Sequence, residues 1–141
     1  MLREARALFG DSGFVAQVLE TDTRIAECHL VARQPEEALV IADGALSVEA
    51  SRDGLGHQRA ALLRARAYAL VALDRRAEAV DALAESLDAA RERQADHEIA
   101  FTLTAMSELD GQPLDEPLEK ERQLLLERLG IVRPFSLAPA A

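Results

Sequence analysis

The sequence predicts an all-α protein, a right-handed stack of helical hairpins closed by a C-terminal capping helix. Three observations predict it. Ala and Leu dominate an apolar fraction of 49%, while aromatic residues make up only 4%, a balance that favours helices over strands. Apolar residues recur at helical spacing almost throughout, up to Leu109. Small residues recur where paired helices must approach closely, as in AYALVALDRRAEAVDALAES from Ala67 to Ser86.

Taken in order, Leu2 to Phe9 reads as a short amphipathic helix ended by the turn GDSG, Gly10 to Gly13. Phe14 to about Ala32 reads as a second helix, with Val15, Val18, Leu19, Ile25, Ala26 and His29 on one stripe. Asp22 interrupts that stripe and is expected to mark fraying or a slipped register. Pro35 suits the first turn of a third helix, with Glu36 and Glu37 at its positive end and Leu39, Ala42 and Leu46 inward. RDGLG, Arg52 to Gly56, breaks the chain. A fourth helix, His57 to Leu73, turns Ala60, Leu63, Ala67 and Leu70 to one side. Asp74 is the expected N-cap of a fifth, carrying Ala79, Leu83 and Leu87 and ending near Gln94. Asp96 is expected to cap a sixth, with Ile99, Phe101, Leu103, Ala105, Met106 and Leu109 as its apolar residues. DGQPLDEP is a linker. Asp115 and Pro117 open a last helix, Glu116 to Leu129, holding Leu118, Leu125, Leu126 and Leu129, and an apolar, proline-containing tail follows. The organisation expected is a repeat array over 1–112, about two and a half units behind an orphan helix, then linker, cap and tail over 113–141.

Length and charge bound the function. A chain of 141 residues is one domain's worth. The formal net charge is −9, which leaves no basic face for nucleic acid or an anionic membrane. Cys28 is the single cysteine, so no internal disulfide is expected and a reducing, cytoplasmic setting fits. No run reaches the ~20 apolar residues of a bilayer span, and the first residues lack the apolar core of a signal peptide.

An offset of 41 residues places Ala26 on Ala67, Glu37 on Glu78, Ala38 on Ala79 and Leu46 on Leu87. The small residues then fall at matching places: Ala26, Ala38 and Ala45, then Ala67, Ala79 and Ser86, with Ala105 opening an incomplete third unit. This pattern resembles the tetratricopeptide repeat family in its longer form of about 40 residues. Phe101 and Leu63 stand at that family's large apolar position, and Asp22 departs from it. Three stretches, ETDTRIAECHLVARQPEEAL, ARERQADHEIAFTL and LLERLGIV, are together similar to the C-terminal ends of actinobacterial signalling proteins. Those carry a tetratricopeptide array behind an ATPase module, with a nucleotide cyclase or DNA-binding domain elsewhere. The resemblance implies a regulatory segment that holds none of those domains' catalytic residues.

Motifs that suggest chemistry have plainer readings. DHEIAF begins like the helix of a zinc protease, but Phe101 stands where the second metal ligand would be. His97 is therefore expected to be an exposed first-turn residue. Cys28 and His29 point about 100° apart on a helix, so a packed histidine and an inert, partly buried thiol are expected. GDSG and DGLG lack the lysine of a phosphate-binding loop. Glu20–Arg24 and Glu116–Lys120 are expected surface pairs.

The remaining feature is the concave face, which the first helix of each hairpin should line. Its outward residues by this register are Glu20, Thr23 and Glu27, then Arg64, Tyr68 and Val71, then Thr102 and Met106. Tyr68 and Met106 suit an adaptable surface, and Arg64 could fork onto a carboxylate. The expected role is non-catalytic: a protein-interaction or regulatory module of a bacterial signalling or transcription-regulating protein, binding a protein or peptide and needing no cofactor or metal. Two alternatives stay open. One is homodimerisation through an open N-terminal edge at Leu8 and Phe9. The other is a small-ligand receptor or enzyme using the groove.

Overall fold

A computed structural model describes residues 11–51, 56–109, 113–132 and 137. It contains α1 (Asp11–Val31), α2 (Pro35–Ala50), a single 3-10 turn (Gly56–Gln58), α3 (Arg59–Ala72), α4 (Arg76–Glu92), α5 (Asp96–Leu109) and α6 (Glu116–Leu129). No strand occurs among the described residues, and none of their helices is long and apolar enough to cross a membrane. The helix expected over Leu2–Phe9, and the edge built on Leu8 and Phe9, lie outside the described residues.

Each helix packs on the next, and α3 also contacts α1 and α5. Cross-helix bonds fix the directions. Arg59 reaches Glu49 at 3.0 Å and Arg66 reaches Asp43 at 2.7 Å, so α3 runs antiparallel to α2. Ser86 bonds the Ala60 carbonyl at 2.9 Å while Leu70 and Ala79 share a cluster, so α4 turns back along α3. Arg64 meets Glu98 at 2.5 Å and Tyr68 meets Glu108 at 3.3 Å, which sets α5 parallel to α3.

Small residues make these approaches possible. Ala26, Ala38, Ala45, Ala67, Ala79, Ser86 and Ala105 are all at most 2% exposed, and a larger side chain at any of them would hold two helices apart. Leucines fill the spaces between: Leu19 and Leu62 with Val15 and Ala45 at one end, Leu70, Leu83 and Leu109 in the middle, Leu103 and Leu125 toward α6. In α2 the small residues carry the inner face. Ala38, Ala42 and Ala45 are buried with Glu49, whereas the expected Leu39 and Leu46 are half-buried on its flanks.

The turns close by backbone, which corrects two expected caps. Arg33, Asp74 and Gln94 take left-handed φ of 60°, 61° and 51°. Each donates its N–H to a carbonyl three residues back, and the following residue reaches five back: Gln34 to His29 at 2.7 Å, Arg75 to Leu70 at 2.8 Å, Ala95 to Ala90 at 3.0 Å. This pairing satisfies the last carbonyls of α1, α3 and α4. Asp74 therefore closes α3 instead of capping α4, whose N-cap residue is Arg75 with no side-chain capping bond. Asp96 lies inside α5 as its first residue. At α6 the reading holds: Asp115 is the N-cap residue, Pro117 lies in the first turn, and Gly130 closes the end at φ 70°.

Two further expectations change on α1. Asp11 to Gly13 are helical, so three of the four residues of the expected GDSG turn belong to α1. Asp22 neither frays nor breaks the helix. The buried stripe passes beside it through Val15, Leu19, Thr23 and Ala26, and leaves Ile25 exposed and Val18 and His29 half-buried. A threonine holds this stripe because its hydroxyl donates to the Leu19 carbonyl at 2.7 Å, satisfying it internally. Partial burial raises the Asp22 carboxyl above the usual range.

Candidate functional site: a groove across α1, α3 and α5

Because α1, α3 and α5 neighbour one another through α3, their outer stripes form one surface. Glu20, Thr23, Arg24 and Glu27 come from α1, Gln58, Ala61 and Arg64 from the 3-10 turn and α3, and Glu98 and Phe101 from α5. They enclose an open concavity of about 370 Å³. The spacings are helical: 20, 24, 27 on α1 and 61, 64, 68 on α3 each fall on one face.

Arg64 organises the wall. Its Nη1 donates to Glu98 Oε2 at 2.5 Å and to Thr102 Oγ1 at 3.3 Å, and its guanidinium carbon lies 5.6 Å from the Phe101 ring centroid, in cation–π range. Thr102 and Ser86 hydroxyls lie 2.8 Å apart. Each hydroxyl has one proton, and that of Ser86 goes to the Ala60 carbonyl. Thr102 must then donate to Ser86 and accept from Arg64, giving a one-way relay from Arg64 through α5 and α4 back to α3. Every buried side-chain nitrogen and oxygen among the described residues has a partner.

The predicted site residues separate into three places. Glu20, Thr23, Glu27 and Arg64 share the large concavity. Tyr68 lies next to it, in a narrow cleft with Glu27, Ala61, Arg64, Phe101 and Leu137. Val71 and Met106 lie apart, with Arg76, Val80 and Leu109, around a small apolar depression of about 40 Å³. Thr23 and Thr102, expected to face outward, are 4% and 0% exposed. Their hydroxyls make such burial tolerable, where the repeat register had pointed both outward. Tyr68 is likewise buried, with its hydroxyl donated to Glu108. Arg64 has used both Nη1 hydrogens inside the wall, and its side chain is 12% exposed, so it is a structural strut first.

Sequence reasoning missed Arg24, Gln58, Ala61, Glu98 and Phe101. Arg24 and Ala61 were within reach, since each sits at helical spacing from a residue already placed on the face. Glu98 was not, because only the α3–α5 contact shows that it meets Arg64.

Acidic groups dominate the mouth: Glu20, Glu27 and Glu98 against Arg24 and Arg64. Burial holds the Glu27 carboxyl above the usual range; Arg24 and Arg64 pull it down and Glu98 pushes it up. Elsewhere the chemistry is sparse. His97 is exposed and tilts against Phe101 with centroids 6.3 Å apart. His29 Nδ1 pairs with Gln34 Oε1 at 2.7 Å. Cys28 is exposed, not partly buried, because it points away from the α2 seam. Among the described residues no group of three or more His, Cys, Asp or Glu side chains could hold a metal. Among them, too, neither Glu20–Arg24 nor Glu116–Lys120 closes to an ion pair; α6 uses Glu119–Arg122 at 2.9 Å instead. The chain matches no protein-family model, no curated protein and no solved structure.

Proposed function

We propose that this chain is a non-catalytic protein-interaction module, a tetratricopeptide-like right-handed stack of hairpins that holds an extended peptide in the groove across α1, α3 and α5. The observation that carries the reading is the groove itself. Three helices contribute to one open concavity of about 370 Å³, and its principal cation is already paired within the wall. Such a surface offers shape, apolar contact at Ala61 and Phe101, and carboxylates at Glu20 and Glu27 with Arg24 between them. It suits a partner segment carrying apolar and basic side chains. The identical turns at Arg33 and Asp74, one 41-residue offset apart, support the repeat. Together with the sequence resemblance they support a regulatory role in a bacterial, cytoplasmic signalling protein. No reaction class is indicated by the groups that line the groove.

The test is selection of short random peptides on the immobilised chain, compared with Glu20→Lys/Glu27→Lys. Enriched peptides should carry Lys or Arg beside apolar residues and should lose about tenfold in affinity on charge reversal. No enrichment, or equal binding to both proteins, overturns the reading.

A second reading, homodimerisation, is favoured by one observation. Of the seven exposed large apolar residues among those described, four, Ile25, Val31, Val40 and Val48, lie on α1 and α2. Light scattering over a concentration range decides it: a dimer that Val31→Lys/Val40→Lys dissociates would support this reading, and a monomer throughout would remove it.

A further inference from the structure

Beyond α6, Leu137 lies against the groove. α6 does its own covering elsewhere: Leu118, Leu125, Leu126 and Leu129 pack on Ala89, Ala90, Ile99 and Leu103. Leu137 goes to a different place, against the cluster of Ala67, Tyr68, Leu70 and Ala105. There it closes a narrow cleft with Glu27, Ala61, Arg64, Tyr68 and Phe101. Four of these, Glu27, Ala61, Arg64 and Phe101, also line the large concavity. The same groove is thus filled to about 20 Å³ of free space where Leu137 sits and stays open, at about 370 Å³, on its other side. A gap of about that size holds at most a single water.

The composition of the segment fits the seat. IVRPFSLAPAA, Ile131 to Ala141, carries Arg133, two prolines, apolar residues and no acidic side chain, a composition complementary to the acidic mouth of the groove that Leu137 adjoins. Leu137 is only half-buried, so it can leave without exposing a full core position. We infer that Leu137 is a resident, displaceable occupant of the groove, and that the external ligand is a peptide with the chemistry of the sequence around it, a leucine anchor with basic and proline-rich flanks. The inference rests on the groove-binding reading above and adds what must be displaced.

The chain supplies its own reporter. Tyr68 is the single tyrosine and there is no tryptophan, so intrinsic emission comes from the residue beneath Leu137. In the full chain, Leu137→Asp should raise acrylamide quenching of Tyr68 about twofold or more, and Leu137→Met should leave it near wild type. A labelled peptide of sequence IVRPFSLAPAA should then bind Leu137→Asp about tenfold more tightly than the wild-type chain, because a tethered competitor at high effective concentration has been removed. Unchanged quenching with helicity intact overturns the inference, as does equal affinity of this peptide for both proteins. These failures are distinguishable from failure of the groove reading. Peptides selected at random that respond to Glu20/Glu27 reversal but bind wild type and Leu137→Asp equally leave the groove as an interaction surface and dismiss Leu137 as its occupant.

Discussion

α3 and α6 have the same length, 14 residues, and the same helical spacing of apolar positions, yet they occupy the fold differently. α3 has eight buried residues, four of them alanines: Ala60, Ala65, Ala67 and Ala69. α6 has one, Leu125. The cause is the number of neighbours. α3 touches α1, α2, α4 and α5, and small residues let four backbones close around it. α6 lies on α5 and is tied outward by Arg91–Glu121 at 2.8 Å and Arg128–Asp96 at 3.5 Å, pairs exposed enough to contribute little. Periodicity describes which side of a helix is apolar; the number of helices packed around it decides how much of it is used.

The largest effect that can break this comparison is a pair of core truncations. Leu70→Ala should cost about 4 kcal/mol and Leu125→Ala about 2, measured by urea unfolding, because the α3 site is enclosed and cannot collapse while α6 can settle inward. A reversed order would make the α6 seam the stronger one. Next, Ser86→Ala should cost about 1–2 kcal/mol, and adding Thr102→Val should cost less than its separate effect, since both cut one relay. Additive losses would mean the two hydroxyls act independently. A gain comes third. Asp74→Gly should stabilise by about 1 kcal/mol, by relieving a left-handed residue with a side chain; a loss would show that Asp74 contributes through its carboxylate.

The smallest effect is electrostatic. Glu27 has a folded pKa above its ordinary value, chiefly from burial. A raised carboxyl binds its proton more tightly in the folded chain. The stability it supplies is therefore complete below the unfolded pKa and is lost as pH rises through the folded one. Glu27→Gln removes that loss, so its stability relative to wild type should be greater at neutral pH than on the acid side of the glutamate range. A relative stability that stayed flat with pH would mean Glu27 is as well solvated as a surface residue.

How much was legible follows from what kind of signal each feature leaves. The small residues from Ala26 to Ala105 were readable because close approach permits almost nothing else at those places. α6 was readable because Asp115, Pro117 and Gly130 each carry a backbone preference. The other turns were not, because Arg33, Asp74 and Gln94 hold a conformation for which sequence reasoning expects glycine or asparagine. Within the groove, faces were legible and bonds were not. Glu20, Glu27 and Arg64 follow from helical spacing, but the use of Arg64 by Glu98 and Thr102 depends on a contact between helices separated by α4. Thr23 and Thr102 were placed outward by a repeat register that the packing of α1 and α5 does not follow there; each is buried with its hydroxyl bonded within the protein.

The closed turns also govern how this chain can change in length. Between α1 and α2, α3 and α4, and α4 and α5, the left-handed residue and its two bonds leave no slack. A single residue inserted in α4 would rotate all that follows by about 100° and swing Ser86 away from Ala60. On the hairpin-repeat reading proposed above, a whole hairpin inserted with its turn would return every small residue to its seat. Such a chain grows as a ladder does, by complete rungs, and deletions it tolerates should come in the same denomination.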